Sequence, residues 1–316
     1  MTGPVAVTGI GLLTPAGEDA DTTWETVRRG AGTAAAHDPA LAGLPVDFSC
    51  RVPLSRDELD RRVGRAAWRM SRNAVLAVLA ARAAVRDAGL DARAWDGDRV
   101  AVVVGCGLGA DEVREEQGER LAERGAELVS ALTVPQMIPN MAAGEVSIDL
   151  GARGPVLACA TACASGATAV AVARDLLAAG RCDIAVAGAA EAAVTRLTTA
   201  GFWRAGVLSG RTGAPTGASR PFAPDRDGFV MAEGAGMLVL ERAADADARG
   251  RVPAPCWWAA AAPRTRTTPP RPLRTAGARR RPCGPPWRTR ACHRTTSTTS
   301  TRTAPPPRPT TPGRPP

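Results

Sequence analysis

The feature that most constrains what this 316-residue chain can fold into is a break in composition near Arg251. Residues 253–316 contain 13 Arg and 16 of the 27 Pro, but no Asp or Glu. They also have few aliphatic residues and no hydrophobic periodicity, so we expect no packed core there. We therefore divide the chain into a folded domain, residues 1–251, and a disordered tail rich in Arg, Pro and Thr, residues 252–316.

The charge and the cysteines exclude several classes of protein. The net charge of +9 belongs to the tail, because residues 1–252 hold 27 Arg against 31 acidic residues, and we expect no nucleic-acid partner. The 8 cysteines contain no CxxC pair, which argues against a structural metal site. The N-terminal segment MTGPVAVTGIG has no basic region and no long apolar run, and no stretch of about 20 uncharged apolar residues occurs, so we expect neither a secretory leader nor a membrane span. We expect a reduced, cytoplasmic protein without a membrane partner.

Strands and helices alternate along the folded domain. Short apolar runs predict strands at Pro4–Ile10, Arg99–Gly105, Pro155–Ala160, Asp183–Gly188 and Gly236–Glu241. Helices are predicted at Arg65–Leu90, Ala164–Ala179 and Asp111–Leu132, the last with a charged, solvated outer face. This alternation predicts an α/β protein whose sheet is covered by helices.

The segment from Gly154 to Gly166 carries the strongest chemical signal. A predicted strand runs into Cys163, and the small residues that follow open an apolar helix. A thiol at a helix N-terminus lies at the positive end of the helix dipole, which favours the reactive thiolate, and unpaired N–H groups there can donate to a thioester oxygen. The alternative is a small buried core residue, which is what most free cysteines are. We assign that packing role to Cys159.

Several long motifs occur in the order that one enzyme family shows. The segment TACASG, which contains Cys163, follows PNMAAGEVSIDLGARGP and precedes SRPFAPDRDGFVMAEGAGMLVLE. Together with the opening VAVTGIGLLTPAG and the loop VVVGCGLG, these segments resemble the β-ketoacyl synthases of fatty-acid and polyketide assembly. The resemblance covers residues 1 to about 251. Because Met1 lies almost at the start of the first strand, the chain is most similar to the discrete condensing enzymes.

The resemblance implies a thiolase-like layered α/β fold, of which this chain has the N-terminal half. It also implies an acyltransferase that forms a homodimer, or a heterodimer with a related synthase subunit, and that uses no cofactor and no metal. The family's nucleophile, here Cys163, takes an acyl group from acyl carrier protein or coenzyme A. Malonyl-loaded acyl carrier protein is then decarboxylated, and its carbanion attacks the thioester to give a 3-oxoacyl product. The chain-length partner subunits of aromatic polyketide systems lack this cysteine, so Cys163 argues against that assignment.

Three further features receive structural interpretations. The spacing of Gly105, Gly107 and Gly109 does not complete a dinucleotide-binding fingerprint, and the resembling family has a structural loop there. His37 is expected on a surface loop. A charged cluster is expected to form a salt-bridged turn that shapes the floor of the site, because buried charges have to be paired. The cluster comprises Arg220, Asp225, Arg226, Asp227 and Glu233.

The chain departs from the family in its histidines. Decarboxylating condensing enzymes use two histidines, one of them in an HGT motif, and a lysine. This sequence has only His37 and His293 and no lysine, so we expect its condensing activity to be defective. With GC-rich codons, the tail read one nucleotide earlier translates into strings that contain DAHH and HGTSTP. We therefore expect that a frameshift near Arg251 turned the second half into an out-of-frame tail.

Two alternatives stay open. One is another thiolase-like acyltransferase, such as a degradative thiolase or a condensing enzyme primed by coenzyme A. The block from Ser219 to Glu241 favours the decarboxylating, carrier-protein-dependent class over this alternative. The other is a truncated, non-catalytic partner whose basic tail binds nucleic acid with an affinity that falls steeply with salt.

Overall fold

The computed structural model describes residues 3–251, which form a five-stranded mixed sheet covered by helices. The strands are β1 (Val5–Leu13), β2 (Val100–Gly105), β3 (Val156–Cys159), β4 (Ile184–Glu191) and β5 (Gly234–Arg242). Their order in the sheet is β1-β5-β4-β2-β3. β5 runs antiparallel to β1 and β4, whereas β2 runs parallel to β4 and β3. The predicted tail at 252–316, with His293, lies outside the described residues.

Nine α-helices connect and flank these strands within residues 3–251. They are α1 (Ala20–Arg28), α2 (Arg56–Val63), α3 (Arg72–Asp87), α4 (Asp111–Arg124), α5 (Thr133–Met137), α6 (Met141–Leu150), α7 (Ser165–Ala178), α8 (Arg196–Arg204) and α9 (Ala243–Ala248). None of the helices in this part of the chain combines the length and the apolar character that crossing a bilayer requires.

Helices cover both faces of the sheet, as the alternation of strands and helices predicts, although β3 at the sheet edge is mostly exposed. Helices α3 and α6 pack on one face and α7 packs on the other. Along β2, Val100, Val102 and Val104 pack towards α3 and α6. Ala101 and Val103 point to the side of α7. A strand buried on both faces has no polar side, which explains why β2 is an unbroken apolar run.

The predicted strands and helices are present, with differences at their ends. The helix expected at Arg65–Leu90 begins only at Arg72, after a short 3₁₀ turn. The helix expected at Asp111–Leu132 ends at Arg124, because Gly125 adopts a φ of 83°. A positive φ is a conformation that glycine adopts readily and that stops an α-helix. The prediction of an α/β fold is therefore correct, but α1, α2, α5, α6, α8 and α9 were not predicted.

The acidic helix α4 differs in part from the solvated, charged helix that the sequence predicts. Its outer face is exposed, as predicted, but the carboxylates of its first turns bind other helices. Asp111 is buried and accepts hydrogen bonds from the hydroxyls of Thr195 and Thr198. Glu112 accepts the first N–H of α3 at 2.7 Å, and Glu115 accepts the first two N–H groups of α8 at 3.1 and 3.0 Å. Helix α4 thus caps the N-termini of α3 and α8.

Candidate active site

Cys163 lies in a short turn between the end of β3 and the start of α7. Cys163 is exposed to solvent. Ala162, immediately before it, has a φ of 52°, in the left-handed region that residues with a Cβ rarely adopt. A conformation that costs of order 1 kcal/mol persists only where surrounding contacts hold it. The turn that presents Cys163 is therefore fixed by its neighbours.

Ser165, the first residue of α7, supplies several of those contacts. Its Oγ accepts the N–H of Thr161 at 2.9 Å and donates to the carbonyl oxygen of Ala162 at 2.6 Å. The carbonyl oxygen of Cys106 lies 3.2 Å from the same hydroxyl. Ser165 itself is buried, with 3% of its surface exposed. One hydroxyl thus joins the turn around Cys163, the start of α7 and the loop that follows β2.

The loop after β2 approaches the start of α7 very closely. A Cβ added at Gly105 would lie 2.4 Å from both the carbonyl carbon and the carbonyl oxygen of Ser165. No side chain fits such a gap, so glycine is needed here for close packing. The structural interpretation of this glycine-rich loop agrees with these contacts.

Cys163 opens into a cavity of about 760 Å³. Small and apolar residues form most of its wall. Phe202 and Phe229 stand on one side as an edge-to-face pair with ring centroids 5.5 Å apart. The other lining residues come from the ends of β1, β2, β4 and β5, from the first turn of α7, and from the loops that follow β2, precede α7, follow β4 and precede β5. A cavity of this size and polarity suits an apolar chain attached to the sulfur.

Fewer backbone N–H groups are free at the start of α7 than the sequence analysis expects. The N–H of Ala164 donates to the carbonyl of Thr161 at 3.1 Å, and the N–H of Ser165 donates to that of Ala162 at 3.0 Å. These two N–H groups are therefore occupied within the turn. An N–H donor to a thioester oxygen stays a prediction, and these two groups are excluded from that role.

The three cysteines near this turn have different environments. Cys106 is buried, its Sγ lies 3.6 Å from the carbonyl oxygen of Pro139, and burial raises the pKa of its thiol. Cys159 is half-buried against the apolar cluster beneath α7, as predicted, and burial raises its pKa too. Cys163 is exposed. The alternative interpretation of Cys163 as a buried core residue is therefore wrong.

Glu191 is a residue of this site that the sequence analysis missed. It ends β4 and lines the same cavity as Cys163. Its Oε2 accepts the N–H of Gly107 at 2.6 Å and that of Leu108 at 3.1 Å. Its Oε1 is buried without a hydrogen-bond partner among the described residues. Burial raises the pKa of Glu191, although the backbone N–H groups oppose this shift.

The predicted charged cluster divides into two separate groups. Arg220 and Asp225 form a salt-bridged turn at 2.7 Å, as expected, and Arg211 bonds to Asp225 at 3.2 Å and Asp227 at 3.3 Å. Arg226 donates only to a backbone carbonyl in its own turn. Glu233 lies elsewhere, in a different cluster. The turn is on the surface, so the expectation that it forms the floor of the site is wrong.

Glu233 is one of the most enclosed charges in the described chain. Its side chain is fully buried and lies 2.5 Å from Nη2 of Arg72. It also accepts the N–H of Val52 at 2.9 Å and approaches Arg51 at 3.6 Å. These partners satisfy the rule that buried charges are paired. Glu233 thus ties the start of α3 to the segment before β5.

His37 lies on the surface, as predicted. Its Nδ1 is 2.9 Å from Oδ2 of Asp47, and both belong to the loop region before α2. Across residues 3–251, no group of three or more His, Cys, Asp and Glu side chains is placed to hold a metal ion.

Known sequences contain close relatives of this chain. The profile described as "Beta-ketoacyl synthase, N-terminal domain" matches residues 2–246. The 3-oxoacyl-[acyl-carrier-protein] synthase 2 of Staphylococcus aureus (strain COL) is 41% identical over 254 residues, which are 78% of this chain and 59% of that protein. The chain therefore spans about three fifths of the length of this relative.

Solved structures show the same similarity. A beta-ketoacyl synthase from Burkholderia phymatum STM815 superposes with a TM-score of 0.72 at 29% identity, covering 79% of this chain and 62% of that one. A ketosynthase in complex with a type II PKS acyl-carrier protein superposes with a TM-score of 0.69 at 28% identity, covering 80% of this chain and 61% of that one. The matched family profile runs through all five strands and the Cys163 turn, and the chain therefore belongs to the β-ketoacyl synthase family through that family's N-terminal domain.

Proposed function

We propose that Cys163 is the acyl-accepting nucleophile of a 3-oxoacyl-carrier-protein synthase of fatty-acid or polyketide biosynthesis. The observation that carries this proposal is the placement of an exposed thiol at the start of α7, on the wall of an apolar cavity. The 41% identity to a 3-oxoacyl-[acyl-carrier-protein] synthase 2 supports it. Because the nucleophile has to stay a free thiol, we also propose the reducing cytoplasm as its compartment.

The acyl transfer is a thiol exchange. The Cys163 sulfur attacks the carbonyl carbon of the acyl thioester, the bond to the carrier's sulfur breaks, and the carrier thiol leaves with the proton that Cys163 gives up. The cavity then holds the acyl chain. The carbonyl oxygen carries negative charge in the tetrahedral intermediate, so backbone N–H donors would stabilise it.

The condensation would follow on the acylated cysteine. The malonyl group on carrier protein loses its carboxylate as CO₂, and the electron pair of the broken C–C bond remains on the α-carbon. That carbon attacks the acyl carbonyl carbon, a C–C bond forms, and the Cys163 thiolate leaves. The 3-oxoacyl product remains on the carrier protein. Within residues 3–251, His37 is the only imidazole, and it pairs with Asp47 on the surface, so the described chain offers no histidine to this step.

We therefore propose that this chain accepts an acyl group but does not condense it. The cause we propose is a frameshift near Arg251, so that the reading frame of residues 252–316 no longer encodes the HGTSTP motif. Sequencing the gene from codon 240 beyond codon 316 in all frames tests this. One missing or extra base that restores DAHH and HGTSTP in frame is the expected result, whereas a confirmed frame without either motif contradicts it.

Acyl transfer is tested with two donors offered separately, acyl carrier protein and coenzyme A, each loaded with a radiolabelled acyl group. Label on the Cys163 peptide from acyl carrier protein, abolished in Cys163→Ala and retained in Cys50→Ser, is the expected result. Label from acyl-coenzyme A alone would favour a different thiolase-like acyltransferase. No label from either donor would overturn the proposal. Formation of a 3-oxoacyl product from malonyl carrier protein would overturn the claim that condensation is absent.

We propose acyl carrier protein and a second synthase subunit as partners. The superposed ketosynthase in complex with an acyl-carrier protein supports the first. The second rests on β3, which lies at the edge of the sheet and pairs with β2 along one side only. Val156 and Leu157 on β3 are 38% and 41% exposed, and Ile148 on the adjoining α6 is 63% exposed. An open edge with apolar side chains pairs readily with another chain.

The subunit proposal predicts a dimer that depends on β3. Light scattering after size exclusion should give a mass of about 65 kDa, which is twice the 32.6 kDa of one chain. Leu157→Lys, which adds a charge to the strand, should shift the protein to the monomer, because charged side chains on an edge strand oppose its pairing with another chain. Leu197→Lys, on an exposed leucine of α8, is the matched control and should leave the dimer intact. A parent protein that is monomeric at all concentrations would require a different synthase subunit as partner.

A further inference from the structure

Glu191 contacts the nucleophile turn through the loop that follows β2. Its Oε2 accepts the N–H groups of Gly107 and Leu108 at 2.6 and 3.1 Å. A Cβ added at Gly107 would lie 3.0 Å from Glu191 Oε2 and 3.9 Å from the carbonyl oxygen of Ala162. The Gly107 position thus lies close to both the carboxylate and Ala162, the residue that precedes Cys163. Movement of this loop would change the contacts of the turn.

A second set of contacts joins the same loop to the turn. Cys106, next to Gly107, has its carbonyl oxygen 3.2 Å from the hydroxyl of Ser165. That hydroxyl donates to Ala162, whose φ of 52° has to be held by its surroundings. The carboxylate at the end of β4 and the hydroxyl at the start of α7 therefore hold opposite ends of one short loop.

The contacts of Glu191 need a side chain of the right length that ends in an acceptor oxygen. They do not need a negative charge. Two backbone N–H groups are bonded by one oxygen, and the other oxygen is buried without a partner in the described chain. Burial raises the pKa of this carboxyl, although the backbone N–H groups oppose the shift. An amide oxygen accepts the same two bonds.

We propose that Glu191 is a positioning residue for Cys163, which holds the Gly107–Leu108 segment and, through Cys106 and Ser165, the turn that presents the thiol. This inference rests on the proposed acyl-accepting role of Cys163. Glu191 does not transfer a proton. Its effect is the orientation of the sulfur, and a small displacement of a reacting atom is enough to slow a reaction by about tenfold or more.

The test compares three substitutions in the full chain. Glu191→Met keeps the length of the side chain but removes the acceptor, Glu191→Asp keeps the charge but shortens the side chain, and Glu191→Gln keeps acceptor and length. Two rates are measured for Cys163: alkylation by iodoacetamide, followed by mass spectrometry, and acyl transfer from acyl carrier protein. Both should fall about tenfold in the Met and Asp variants and stay within about twofold of the parent in the Gln variant.

Rescue by Gln separates positioning from charge. A Gln variant as slow as the Met variant would overturn the inference, and so would Met and Asp variants that react at the parental rate. Glu115→Met is the matched control, because Glu115 also accepts two successive backbone N–H groups but at the start of α8. It should lower the unfolding temperature without slowing alkylation. If the Met variant fails to fold, the comparison of the Asp and Gln variants still tests the inference.

The two readouts also separate this inference from the proposed function. A parent that accepts no acyl group, but whose alkylation depends on Glu191 as described, would overturn the acyl-accepting role and leave the positioning role intact. Acyl transfer to Cys163 at the same rate in all Glu191 variants would overturn the positioning role and leave the acyl-accepting role intact.

Discussion

The hydroxyl of Ser165 donates to the carbonyl oxygen of Ala162 at 2.6 Å, across the turn that carries Cys163. The hydroxyl oxygen of Ser165 also accepts the N–H of Thr161. The bond therefore joins the first residue of α7 to a residue held at a φ of 52°. In this site the start of the helix and the strained turn form one hydrogen-bonded unit, and the geometry of the thiol depends on both.

Ser165→Ala should weaken this unit. It removes one acceptor and one donor at a buried position, at a cost of about 1–2 kcal/mol in the free energy of unfolding. Alkylation of Cys163 should slow because the turn is released. Ser55→Ala, which breaks the capping box of α2, is the control: it should cost about 1 kcal/mol in urea unfolding and leave the alkylation rate unchanged. Equal alkylation in both variants would contradict the coupling.

Gly105→Ala should be far more damaging than an ordinary glycine substitution. Its Cβ would lie 2.4 Å from the backbone of Ser165, so β2 and α7 would have to separate. We expect a loss of about 3 kcal/mol and slower alkylation of Cys163. Gly118→Ala is the matched control, since it lies in α4 with no heavy atom within 4 Å of the added Cβ. It should be neutral or stabilising by up to about 1 kcal/mol, measured by thermal unfolding.

Much of this fold could be predicted because its strands contain short apolar runs, of which the one in β2 ends in glycine. The apolar run predicts a strand at Arg99–Gly105, and β2 occupies Val100–Gly105. The turn around Cys163 could be predicted because its neighbours along the chain carry the family motif, and Cys163 is exposed there. These features are local in sequence, so their pattern predicts them.

The parts that could not be predicted depend on contacts between distant segments. Glu191 ends a strand of the predicted set, but its bonds to Gly107 and Leu108 span more than 80 residues. Asp111 and Glu115 looked like solvated charges because nothing nearby in sequence shows that α8 begins against them. Helix α2, in contrast, begins with Ser55 and Glu58, a capping box that a search for helix starts could have found.

The buried pair of Arg72 and Glu233 should be one of the most sensitive sites for stability. Glu233→Met would leave the guanidinium of Arg72, which is 15% exposed, without its charge partner. Breaking one side of a buried pair costs about 3–5 kcal/mol. Glu116→Met, which removes the exposed partner of Arg120 on α4, is the control and should cost less than about 0.5 kcal/mol. Equal unfolding midpoints in urea for the two variants would contradict this account.

Acid should destabilise the fold partly through Asp183. Its hydrogen bond from Arg99, together with that from Arg242, holds the pKa of this carboxyl well below its usual range. A carboxyl with a lowered pKa stabilises the fold fully above its unfolded pKa of about 3.9, and this stability is lost as the pH falls below that value. Asp183→Asn should therefore lower stability at pH 7 and flatten its dependence on pH below about 4. Urea unfolding from pH 7 to pH 2 measures both effects, with Asp21→Asn on exposed α1 as the control, and an unchanged slope in Asp183→Asn would contradict the assignment.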